Sequence, residues 1–102
     1  MIDKLRERFR RLEYEYSVHA VDQSIERRIS TSAVEEAVER GEIIENYPAD
    51  KCGPSCLILG FTADRRPLHI QCTYPLRDPV KEITLYQPDP DQWIEFRRRS
   101  LQ

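Results

Sequence analysis

PLHIQCTY, residues 67–74, is the stretch on which the fold turns. Successive side chains of a strand point to opposite faces. Leu68, Ile70, Cys72 and Tyr74 therefore share one face, and His69, Gln71 and Thr73 the other. Bounded by Pro67 and Pro75, this alternation predicts a strand. Three neighbours read the same way: EIIENY (42–47), SCLILGFTA (55–63) and KEITLYQ (81–87). ADRR (63–66) reads as a tight hairpin and PLRDPV (75–80) as the next turn, which makes the four an antiparallel meander. In the last strand Ile83 and Leu85 are expected on one face, Thr84 and Tyr86 on the other. One face of the sheet is then apolar, while its opposite collects His69, Gln71, Thr73, Thr84 and Tyr86. An antiparallel sheet can leave one face to water. The polar face is thus either a plain solvated surface or a shallow site.

Helical signals lie upstream. Residues 3–13 carry Leu5, Phe9 and Leu12 at helical spacing behind Asp3 as N-cap. YEYSV (14–18) reads as a short edge strand. Ser17 caps a second helix whose apolar stripe is Val18, Val21, Ile25 and Ile29. Ser30 or Ser32 caps a third, with Ser32 and Glu35 matching a capping box, Ala33, Val34, Ala37 and Val38 as its buried face, and Gly41 as its stop. Downstream, DPDQWIEFRRR (89–99) opens with Asp89 at the N-cap, Pro90 at the first helical position and Gln92 at the third, which predicts a closing helix that buries Trp93, Ile94 and Phe96. The expected fold is α+β: N-terminal helices packed on one face of a small antiparallel β-sheet, closed by a C-terminal helix, in a single domain over 1–102.

Composition narrows the function. The net charge is −2, whereas a dedicated nucleic-acid binder is usually basic. Arginine nevertheless concentrates at 6–11, 27–28, 65–66 and 97–99, and its planar fork suits phosphate and carboxylate alike. The longest apolar run, 57–61, is too short to span a membrane, and the charged N-terminus lacks an export signal's apolar core. A cytoplasmic protein without membrane partners is expected. An odd count of three cysteines fits a reducing compartment. Cys52 and Cys56 form a CxxxC that leaves a regulatory disulfide open. Cys72 and His69 fall on opposite strand faces, so neither a metal site nor any cofactor is expected. His19 sits off the stripe of its helix beside Asp22, Gln23 and Glu26: either a boundary residue paired with one of those carboxylates, or a reagent.

Taken in order, YSVHAVDQSIERRIS, VEEAVERGEIIENYP, GPSCLILGF, RRPLHIQC and ITLYQPDPDQW resemble the domain-of-unknown-function family 4258 over roughly residues 14–98, leaving 1–13 as an extra N-terminal helix suited to docking or dimerisation. That family is similar to the RelE/MqsR-like toxin ribonucleases, which place helices on one face of a small antiparallel sheet and the active site on the other. Members are often encoded beside a small zinc-finger antitoxin. The resemblance implies a toxin-like, metal-independent endoribonuclease of a toxin–antitoxin pair, with RNA and a small antitoxin protein as partners and a homodimer as a further possibility. Carried onto this chain, the motif residues are His19, Arg27, Arg66, His69, Thr84 and Tyr86. Attack by the RNA 2′-hydroxyl needs a base, a cation for the phosphate and an acid for the leaving oxygen. His19 or His69 would serve as base or acid, Arg27 or Arg66 would hold phosphate with Thr84 beside them, and Tyr86 would donate a proton or stack on a base. Arg-Arg-Ile at 27–29 stands where Arg-Gly-Ile is commoner. The alternative is a non-catalytic protein-interaction module of the same fold, which would scatter the polar residues and expose an apolar patch.

Overall fold

The computed structural model describes residues 1–51, 53–76 and 78–100. Its elements in chain order are α1 (Ile2–Arg10), β1 (Tyr14–Tyr16), α2 (Val18–Glu26), α3 (Thr31–Glu39), β2 (Glu42–Tyr47), β3 (Ser55–Phe61), β4 (Pro67–Thr73), β5 (Val80–Tyr86), β6 (Trp93–Ile94) and β7 (Arg98–Arg99). Strands β2 to β5 form the expected antiparallel meander. Beyond β5 the sheet adds β1 in parallel, giving the order β1-β5-β4-β3-β2. The sheet is therefore mixed, which corrects the purely antiparallel expectation. Parallel neighbours need a long crossover, and everything between β1 and β5 supplies it.

The helices lie where their caps predict, with shifted details. The N-cap of α1 is Met1, and Asp3 instead pairs with Arg6 within the first turn. Ser17 Oγ accepts from Ala20 N–H at 3.0 Å, and Ser30 Oγ from Ala33 N–H at 3.0 Å, so the cap of α3 is Ser30 and not the Ser32–Glu35 box. Leu5 and Phe9 of α1 join Val34, Ala37 and Val38 of α3 over Ile58, Leu68, Ile70, Cys72 and Leu85. α3 lies so close to β3 that a Cβ on Gly60 would overlap the Ala37 carbonyl. This is the one strand position where glycine is required for a close approach.

The closing helix does not form. The chain makes one turn, with Gln92 and Trp93 N–H both donating to the Asp89 carbonyl, and then folds into the β6–β7 hairpin. Glu95 and Phe96 sit at φ 53° and 62°, and Arg97 N–H closes the turn on the Ile94 carbonyl at 3.0 Å. Two consecutive left-handed residues match a type I′ hairpin turn. A helix cap contributes about 1 kcal/mol. The hairpin gains more: it seats Trp93 against His69 and Phe96 against Phe61, and it joins Arg97 to Glu42 and Arg99 to Glu45.

The hairpin also corrects the picture of the second sheet face. Leu57 and Leu59 point to the His69 side, since they pair in register with Gln71 and His69. Both leucines are 2% exposed and His69 is 0% exposed. Helices cover one face, and on the other the hairpin covers His69, while Gln71, Thr84 and Tyr86 keep partial exposure. A bulge between Gln71 and Cys72 puts Glu82 opposite Cys72 and leaves Ile83 out of phase with Leu85. Cys56 and Cys72 are register partners and buried on the helix-covered face, opposite His69. The Cys52–Cys56 pairing falls on Cys52, outside the described residues.

Candidate functional site

The six motif residues resolve into three separate settings. In the first, His69 projects from β4 beneath the hairpin. Its Nε2 lies 2.6 Å from the Phe96 carbonyl, which has no proton to give, so Nε2–H is the donor. Nδ1 then accepts from the Tyr86 hydroxyl at 3.1 Å. Tyr86 and Trp93 meet the imidazole edge to face at 5.2 and 4.4 Å. Burial pulls the His69 pKa below its usual value, against the opposing pull of the Phe96 carbonyl. Burial likewise raises that of Tyr86. A neutral imidazole with both nitrogens engaged and no exposure is a tether for the hairpin, and no substrate proton reaches it.

In the second setting, Arg66 clamps the end of α2. Its Nη1 and Nη2 donate to the carbonyls of Arg28 and Arg27 at 2.9 and 2.8 Å, and Nε donates to Gln87 at 2.8 Å. A guanidinium spent on helix-terminal carbonyls satisfies groups that the helix leaves orphaned. Thr84 is committed as well. Gln23 Oε1 accepts from the Thr84 hydroxyl at 2.7 Å and from Leu85 N–H at 2.8 Å. Gln23 thus caps the β5 edge past the point where three-residue β1 stops.

The third setting is the outer face of α2. His19 is exposed and, like Asp22, Glu26, Arg27 and Arg28, has no side-chain hydrogen bond or ion pair among the described residues. Val18, Val21 and Ile25, expected to be buried, are 81%, 41% and 71% exposed. At 3.6 residues per turn they fall within about 60° of one another. They lie opposite Ala20 and Gln23, the residues that the helix buries. α2 is amphipathic in reverse: its apolar stripe faces solvent and its small and amide side chains face the sheet. Gln23 fixes this orientation through its hydrogen bonds to Thr84 and Leu85 of β5, with Ala20 buried on the same face. Of the expected stripe, Ile29 alone is buried.

The structure therefore brings His69 and Tyr86 together, ties Arg66 to the Arg27 backbone, and leaves His19 at the far end of α2. His19 and Arg27 are about 12 Å apart along the helix axis. A cleft of about 400 Å³ beside Arg66 is lined by Arg28, Ser30, Glu36, Thr62 and Asp64 among others. Its charges are of both signs, its Ser30 hydroxyl caps α3, and the Thr62 hydroxyl donates to Asp64. Among the described residues no group of three His, Cys, Asp or Glu side chains is placed to hold a metal, and no helix is long and apolar enough to cross a membrane. Gln23 and the outward stripe escaped sequence reasoning, since a glutamine in a helix carries no signal that it will cap a strand.

The model of one protein family, described as Domain of unknown function (DUF4258), matches residues 16–87. No curated protein and no solved structure matches the chain.

Proposed function

The chain belongs to the DUF4258 family, and from that premise we propose that it is a non-catalytic protein-interaction module that docks a partner through the outer face of α2. One observation carries this reading: Val18, Val21 and Ile25 form a solvent-facing stripe on a helix whose other face is already packed. Contiguous exposed apolar groups rimmed by polar ones mark interaction surfaces. Asp22 and Glu26 flank the stripe with free carboxylates, whereas Asp3, Glu7, Glu15, Glu39, Glu42 and Asp78 each have an arginine or lysine partner. The complement is a helical segment of another protein with an apolar stripe rimmed by Lys or Arg. A small antitoxin carrying such a segment fits this chemistry.

The test uses two labelled synthetic helical peptides with one apolar stripe, rimmed by lysine in one and glutamate in the other. Full-length protein should bind the lysine peptide at least tenfold more tightly in fluorescence anisotropy. Val21→Asp should abolish binding, and Asp22→Lys/Glu26→Lys should invert the preference. Binding of neither peptide overturns the reading.

A second reading, a RelE/MqsR-like endoribonuclease, draws on the exposed His19 of α2 with the free side chains of Arg27 and Arg28 just past the end of that helix. In it His19 alone acts as base or acid, and the guanidiniums grip neighbouring phosphates. Single-stranded RNA incubated with the protein in chelator should be cut by wild type and not by His19→Ala. RNA left whole by the wild type removes this reading.

A further inference from the structure

Glu82 is a buried carboxyl that takes no part in the hairpin tether, the Arg66 clamp or the α2 face. It sits on β5 on the helix-covered face, 0% exposed, and neither of its oxygens has a hydrogen-bond partner. Its neighbours come from β1, β3, β4 and α3, while α2, which also packs on β5, turns its titratable His19, Asp22 and Glu26 to solvent. β1 contributes Tyr16, its register partner, and Tyr14. β4 contributes Cys72, with Cys56 of β3 behind it. α3 contributes Glu35, whose Oε2 accepts from Tyr14 Oη at 2.7 Å. The Tyr16 hydroxyl also lacks a well-formed hydrogen bond, although Thr31 approaches it. No hydrogen bond or ion pair among the described residues offsets the burial of Glu82, and the nearby carboxylate of Glu35 is of the same sign. Such a carboxylate cannot stay ionised where it lies.

The backbone of Glu82 is the joint between β1 and α2. Its carbonyl accepts from Ser17 N–H at 2.9 Å, and the next carbonyl, Ile83, accepts from the Ser17 hydroxyl at 2.8 Å. Ser17 is the N-cap of α2. β1 adds only three residues to the sheet, against six in β2 at the opposite edge.

We propose that Glu82 is a proton-gated latch: protonated, it lets β1 and α2 lie on β5, and on losing its proton to solvent it drives that segment off the sheet edge. Burial and the like charge of Glu35 push its pKa up to about 8, which places the transition in the neutral-to-alkaline range. Loss of the latch would remodel the α2 face. That consequence rests on the docking reading, whereas the latch itself does not.

Amide hydrogen exchange on the full-length protein, without partner, tests it between pH 5 and 9. Amides of β1 and the first turn of α2 should be less protected than those of β3 and β4. Their protection factors should fall up to tenfold per pH unit as the pH rises towards 8 and level off above it. In Glu82→Gln that pH dependence should vanish. Should the variant fail to fold, the carboxyl carbon shift of Glu82 in the wild type decides the same question through its titration midpoint. A midpoint in the ordinary carboxylate range overturns the latch. So does protection over Tyr14–Glu26 that is independent of pH or no lower than that of β3 and β4. Either result leaves the docking reading intact.

Discussion

At the scale of single residues, polar side chains that look like reagents hold the fold together. His69→Ala removes a buried imidazole and strands both the Tyr86 hydroxyl and the Phe96 carbonyl. Cavity and unmade hydrogen bonds together predict a loss of about 3 kcal/mol in denaturant unfolding. Because burial keeps His69 neutral, its contribution is present above its unfolded pKa of about 6.5 and fades as pH falls below it. Gly60 supplies the opposite kind of test. Gly60→Ala puts a methyl group into the Ala37 carbonyl and should cost about 1–3 kcal/mol by the same measurement, because backbone on both sides cannot yield cheaply.

At the scale of elements, the strand-rich half was legible in sequence and the helical faces less so. Period-two alternation bounded by Pro, Gly and Asp located β2 to β5, Ser17 marked one helix start by its capping chemistry, and the choice of Ser30 or Ser32 for the next fell to Ser30. Residues 89–99 misled because Asp89, Pro90 and Gln92 serve a single turn as well as a helix start. What distinguishes the two outcomes is long-range: the His69, Phe61, Glu42 and Glu45 partners that the hairpin meets. The hairpin also carries a local misfit, with Glu95 and Phe96 left-handed where glycine or asparagine is preferred. Glu95→Gly should therefore raise stability by about 1 kcal/mol, seen as a higher Tm, and leave the β5–β4 core unchanged. The α2 stripe illustrates the limit of periodicity. Spacing identifies an apolar face, but which face the sheet accepts depends on long-range partners, here the Thr84 hydroxyl and Leu85 N–H that Gln23 meets on β5.

At the scale of the whole molecule, two buried ionisable groups set opposite pH slopes. Glu82 binds its proton more tightly folded than unfolded, so its contribution is full below pH about 4.5 and is lost as pH rises through about 8. Below pH 6.5 the His69 slope opposes it; between 6.5 and 8 Glu82 acts without that opposition. Wild type should lose about 1.4 kcal/mol per pH unit across that interval relative to Glu82→Gln in parallel urea titrations. Equal slopes for the two proteins would contradict the assignment. Helices pack one sheet face and the hairpin seals His69 on the other, whereas α2 turns its apolar side outward. The most direct measurement is an amide chemical-shift titration of the isotopically labelled full-length protein with the lysine-rimmed peptide. Docking on α2 predicts saturable shifts confined to residues 17–28, and their absence in Val21→Asp at an unchanged Tm. Shifts centred on β6–β7 or on the cleft beside Arg66, or none at all, would contradict it.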